Sequence, residues 1–150
     1  MKLAQTTTGF TISHKNRTVF EHSQVSPALY LGIGQGTFDM YRGNFDISDY
    51  VSERLPLKKF AITENSDDVV VTFSLDGEAV LEARMYETAE SRLKVEFTAL
   101  DEKYNRFWAR VSATESESVY GCGEQLSYLN LHRLPFAATV SSSLTRISNA

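Results

Sequence analysis

Apolar and polar residues alternate with a period of two along much of this chain, the signature of strands with one buried face. The clearest case runs from Asp68 to Tyr86. Val69, Val71, Phe73 and Leu75 alternate with more polar neighbours, and Asp76-Gly77 follows as a two-residue primed-turn signal. Ala79, Leu81, Ala83 and Met85 then continue the alternation on the return, which predicts a hairpin with one face in a core.

The run "SRLKVEFTAL" predicts another strand, with Leu93, Val95, Phe97 and Ala99 pointing inward. After a turn at "DEKYN", the run "RFWARVSA" places Phe107, Ala109, Val111 and Ala113 on the core face. Arg106, Trp108 and Arg110 then share the opposite face, where a tryptophan needs a second surface to pack against. "ALYLGIG", "FDMYRGNF" and "LKKFAITEN" are shorter strand candidates, and "FTISH" and "TVFEH" form a further pair around Lys15-Asn16. Roughly eight to ten closely spaced strands and no long amphipathic helix predict an all-β fold, an antiparallel β-sandwich.

Composition narrows the function classes. The chain has 150 residues, enough for one domain with its own core. Its net charge of −4 and pI near 5.4 argue against nucleic acid as a partner, because phosphate binding needs a basic surface. Cys122 is the only cysteine, so no internal disulfide can form and a reducing compartment is expected. The opening "MKLAQTTTGFTISHK" has no apolar signal region, and no run approaches the roughly 18 apolar residues of a membrane span. A cytoplasmic location without membrane contact follows as the expectation. Asn16-Arg17-Thr18 matches a glycosylation sequon, which is idle without export.

Several residues invite chemistry. Gly32-x-Gly34-x-Gly36 suggests a phosphate loop, but "TFDMYRGNF" follows instead of a helix, so a bulge or tight turn is the better reading. His14, His22 and His132 lack zinc-like spacing and read as exposed strand or loop residues; no metal and no cofactor is expected. Cys122 reads as a small packing residue between Gly121 and Gly123, not a nucleophile. The carboxylates, among them Asp39, Asp46, Asp49, Glu53, Glu64, Asp67 and Asp68, mostly read as solvated faces. Tyr30, Tyr41, Phe45, Trp108, Tyr120 and Tyr128 could stack on sugars, although sandwich core or interface is the plainer role.

Two stretches together carry a resemblance. "MYRGNFDISDYVSERLPL", from Met40 to Leu57, and "VYGCGEQLSYLNL", from Val119 to Leu131, resemble the N-terminal region of glycoside hydrolase family 31, in its sulfoquinovosidase and α-glucosidase-like branch. "NRFWARVSA" falls where that branch has a similar strand, and the likeness covers about two-thirds of the chain, from Ala28 to Leu131. The resemblance implies a galactose-mutarotase-like β-sandwich, here incomplete, placed ahead of a catalytic (β/α)8 barrel. The family cleaves α-glycosidic bonds with retention through two barrel aspartates. Such a barrel takes on the order of 250 residues. Neither aspartate has a matching position in this sequence, so no catalytic residue carries over.

The expected organisation is a sandwich over residues 1–131 and a divergent, disordered tail over residues 132–150, with the barrel absent. The tail "AATVSSSLTRISNA" is serine-rich, and "HRLPF" departs from the Arg-Gly step usual in the branch, as a frameshift or mispredicted exon would. Tyr120, Glu124, Gln125 and Tyr128 are the residues expected nearest a sugar site or the barrel interface. Alternatively, Glu124 and Gln125 satisfy backbone groups at a strand exit permitted by Gly121 and Gly123. The implied partners are the barrel and an α-glycoside. A free-standing sugar-binding module and an inert fragment are the competing readings.

Overall fold

The structure, a computed structural model, describes residues 1–41 and 44–110. It is all-β, with ten strands and no helix among the described residues. Every strand pairing is antiparallel. The strands are β1 (Lys2–Gln5), β2 (Gly9–His14), β3 (Arg17–Ser23), β4 (Leu29–Tyr41), β5 (Asn44–Pro56), β6 (Lys59–Glu64), β7 (Asp68–Leu75), β8 (Glu78–Glu87), β9 (Leu93–Ala99) and β10 (Arg106–Ala109). They form three sheets, ordered β1-β2-β3, β10-β4-β5 and β6-β7-β8-β9.

One core serves all three sheets. Phe10, Ile12 and Phe20 enter it from the first sheet, Leu29 and Leu31 from the second, and Val69, Val71, Phe73, Leu81, Ala83 and Met85 from the third. Period-two patterning fixes the inward face of β7, as the sequence predicts. Its hairpin turn has positive φ at both Asp76 (51°) and Gly77 (95°), the geometry of a primed turn whose twist matches its strands. Lys15 and Asn16 turn β2 into β3 in the same way, with φ of 49° and 62°.

Four local expectations are corrected. Ala79 does not face the core; Val80 does, at 1% exposure. A β-bulge causes this. Phe73 pairs with Leu81 while Ser74 pairs with Ala79, so Val80 is an extra residue and the pattern slips by one. Phe97, Ala99, Phe107 and Ala109 keep the inward side of their sheets, opposite the buried Ala83, Leu81, Leu31 and Leu29, but they are exposed and not buried. They lie on β9 and β10, each the last strand of its sheet among the described residues. Phe97 and Phe107 instead pack on each other with ring centroids 4.8 Å apart, linking the edges of two sheets. Val111 and Ala113 lie outside the described residues.

His22 is the third correction: it is buried, at 1% exposure. Phe20 and His22 occupy alternate positions on the inward face of β3. The imidazole packs among Phe10, Phe60 and Phe73, with centroids 5.1–5.4 Å away. Nδ1 accepts a hydrogen bond from the Ala28 amide at 3.2 Å. His14 is half-buried, and its Nε2 lies 3.0 Å from the Ser91 carbonyl. Asp68 is the fourth correction, a buried carboxylate and not part of a solvated face. Asn65 Nδ2 and Arg84 Nε donate to it at 2.6 and 2.5 Å, so its charge is compensated.

The short candidate "ALYLGIG" and the first half of "FDMYRGNF", to Tyr41, belong to one 13-residue strand, β4, whereas the last two residues of "FDMYRGNF", Asn44 and Phe45, open an equally long partner, β5, so that candidate is divided between two strands. β10 covers β4 only from Leu29 to Gly32. Beyond that point, residues 34–41 and 44–51 pair with each other as a two-stranded ribbon, with no third strand among the described residues.

Candidate functional site

Tyr120, Glu124, Gln125 and Tyr128, the residues expected nearest to function, lie outside the described residues, as do Cys122 and His132. Of the six aromatic residues with sugar-stacking potential, the described structure brings Tyr30 and Trp108 together. They are directly opposed on β4 and β10, so their side chains share the outer face of the second sheet.

Pairing register builds the rest of that face. Gly32 is opposite Arg54 on β5 and opposite Arg106 on β10. The Arg54 guanidinium therefore rises beside the rings, 4.6 Å from the Tyr30 centroid and 4.9 Å from the Trp108 centroid. Both contacts are of cation–π length. Trp108 thus finds the second surface that its position on the strand requires. A β-carbon built at Gly32 would stand 2.7 Å from indole Cζ3, so only glycine lets the ring lie flat there. Arg110 closes the other end, donating from Nη2 to Ser26 Oγ at 2.7 Å. Ala28, Tyr30, Arg54, Trp108, Ala109 and Arg110 line a groove of about 280 Å³.

The glycine triplet extends this face beyond the groove. Arg106 reaches over Gly34 and Gly36 to Asp49 on β5, pairing through Nη2 at 2.5 Å. The hydrogen bonds from Arg106 hold the Asp49 carboxyl below its ordinary range. Asn105 anchors the start of β10: its side chain accepts from the Gly34 N–H at 2.9 Å and donates to the Gly34 carbonyl at 3.0 Å. Opposite the glycines, β5 carries the extra residue Ser52, a bulge of the kind expected from the triplet.

The chemistry of the groove is that of binding. Among the described residues its lining holds two guanidiniums, an indole and a phenol, and no carboxylate, thiol or imidazole. It therefore offers donors and stacking surfaces but no general base or strong nucleophile. Among the described residues no group of His, Cys, Asp and Glu could hold a metal ion, and no helix is long and apolar enough to cross a membrane. The alternation of "RFWAR" places Trp108 and Arg110 on one face in the sequence. Arg54 is not legible there as their neighbour, because the register of β5 is set some 50 residues away.

Known proteins resemble the chain along most of its length. No protein-family model matches it. A sulfoquinovosidase from Agrobacterium fabrum is 44% identical over 131 residues, which are 87% of this chain and 19% of that protein. A sulfoquinovosidase from Escherichia coli is 32% identical over 132 residues, 88% of this chain and 20% of that protein. Among solved structures, a GH31 family sulfoquinovosidase from E. rectale, in complex with an aza-sugar inhibitor, superposes with a TM-score of 0.73 at 39% identity. That match covers 87% of this chain and 19% of the other. The chain thus spans about a fifth of the length of the relatives it matches. The motif resemblance, the all-β fold and these matches agree: the chain corresponds to an N-terminal region of glycoside hydrolase family 31 sulfoquinovosidases.

Proposed function

We propose that this chain is the non-catalytic β-domain of a retaining α-glycosidase of the sulfoquinovosidase type, which packs on a catalytic barrel and shapes access to its active site. The observation that carries this reading is the 44% identity over 131 residues with a sulfoquinovosidase of which those residues are only 19%. The long ribbon supports it. An isolated two-stranded ribbon is marginal in water, and this one exposes Met40 (61%), Tyr41 (66%) and Tyr50 (70%). Covering those side chains removes apolar surface from water and stabilises both partners. The chain by itself is inactive in this reading, because the retaining reaction needs two carboxylates across the scissile bond, and neither family aspartate has a counterpart here.

Complementation tests the proposal. The A. fabrum sulfoquinovosidase would be produced without its N-terminal region and mixed with this chain. Restored hydrolysis of an aryl α-sulfoquinovoside, with no turnover by either part alone, is the expected result. The reading fails if adding the chain changes neither the activity nor the melting temperature of the truncated enzyme.

A second reading is sugar binding by this domain itself. The groove favours it, since Tyr30, Trp108 and Arg54 form a platform on an exposed sheet face.

A further inference from the structure

Building on sugar binding by the domain itself, we infer that the Tyr30–Trp108 groove binds an anionic pyranoside, whose C–H face lies on the indole and whose sulfonate or carboxylate is held by Arg54 and Arg110.

Three observations converge on this ligand class. First, the two arginines are positioned in advance. Arg54 is stacked on two rings at 4.6 and 4.9 Å, and Arg110 is tied to Ser26 at 2.7 Å. A guanidinium that is already held loses less conformational freedom when a ligand arrives. Second, no carboxylate among the described residues compensates the Arg54 charge. Arg54 has no ion pair or hydrogen-bond acceptor among the described residues. Among the described residues the groove lining contains no acid, although the whole chain carries a net charge of −4. Stacked guanidiniums direct their N–H groups sideways and offer no acceptor, so the matching ligand is rich in acceptors and negatively charged. Third, the floor is flat and apolar. Gly32 leaves room for the indole, and Ala28 and Ala109 complete the walls. A volume of about 280 Å³ is near the lower end of small-molecule sites, roughly 300 Å³, and suits one sugar ring better than a long chain.

Trp108 is the only tryptophan, so intrinsic fluorescence reports directly on the groove. The full chain would be titrated with methyl α-glucoside, its 6-sulfonated analogue, methyl α-glucuronide and sodium sulfate. The expected result is a saturable change with one or both anionic glycosides, about tenfold stronger than with the neutral one. Arg54→Gln should weaken that binding about tenfold, the size of one lost charge-assisted hydrogen bond, while leaving the circular dichroism spectrum unchanged. The sulfonated and carboxylated sugars compared with each other identify the anion.

Equal responses to neutral and anionic glycosides would overturn the anion assignment while leaving sugar binding standing. No response to any glycoside at millimolar concentration would sink both. Sulfate binding as tightly as the sulfonated sugar would remove the stacking part of the proposal. A response to a glutamate-containing peptide and to no sugar would assign the groove to a protein carboxylate instead.

Discussion

Trp108 lies across Gly32 so closely that the indole occupies the space a side chain at residue 32 would take: a β-carbon there would fall 2.7 Å from Cζ3 and 2.8 Å from Cη2. The Glu53 carbonyl oxygen would be nearer still, at 2.4 Å, and it belongs to backbone that cannot rotate away. Gly32→Ala is therefore expected to destabilise the domain by about 1–3 kcal/mol, the usual cost of overpacking. It should also shift the Trp108 emission maximum to the red as the ring is pushed into water. Urea denaturation followed by fluorescence measures both effects. An unchanged emission maximum would show that the ring does not rest on Gly32.

Gly77 provides the contrasting case. Its φ is 95°, and nothing lies within 4 Å of where a β-carbon would be. Gly77→Ala therefore costs backbone strain alone, about 1–2 kcal/mol. Gly77→Asn should cost less, since asparagine tolerates positive φ. Thermal melts of the two variants rank them, and an equal loss in both would contradict the strain account.

Asn105→Ala removes both hydrogen bonds to the Gly34 backbone, one of 2.9 Å and one of 3.0 Å. The expected loss is about 1–2 kcal/mol, because two part-buried backbone groups lose their partner. The distinctive readout is local: amide exchange at Gly34 should accelerate while that of Val71, in the central strand pair, keeps its relative protection. Uniform acceleration across the domain would assign Asn105 a global role instead.

His22 makes stability depend on pH in a defined window. Burial is the main cause that pushes its pKa from 6.5 down to about 4, opposed by the Leu57 backbone and aided by the charge of Arg110. Nε2 faces that backbone without a well-formed hydrogen bond. Between those pH values the unfolded chain takes up a proton that the folded chain refuses. The stabilisation is fully present above about pH 6.5 and is lost as pH falls toward 4, amounting to at most about 3 kcal/mol. Asp68, whose carboxyl Asn65 and Arg84 hold below its usual value, acts at lower pH still. His22→Leu should be less stable at pH 7.5, because the Ala28 amide loses its acceptor, yet should show a flatter stability profile from pH 6.5 to 4.5. Parallel profiles for the two proteins would rule His22 out as the cause.

Some of this architecture is legible residue by residue. The β7–β8 hairpin can be read because its determinants are local: alternation along each strand and Asp76-Gly77 at the turn. Trp108 can be assigned to the outer face of its strand for the same reason. The strand at 44–56 does not stand out in the sequence, because its distal half pairs with β4 alone among the described residues, and a two-stranded ribbon does not impose the alternation of a strand inside a packed sheet. Alternation also cannot reveal the bulge that turns Val80 inward in place of Ala79, since an inserted residue looks like any other until its partner strand is aligned.

Sequence by itself determined the strand-rich class, most hairpins and, through two motifs, the family. Both kinds of information are short-range or lexical, and neither needs the chain to be closed up. Only tertiary structure decided which side chains meet. It brought Arg54 from β5 beside Tyr30 and Trp108, buried His22 among the phenylalanines of two sheets, and compensated Asp68 with Arg84. Those contacts join residues separated by 12 or more positions, and they depend on strand register. One residue of slip would send each side chain to the other face. The candidate groove exists because two registers, β10 with β4 and β4 with β5, agree at Gly32, where the lack of a side chain lets the tryptophan and the arginine come together.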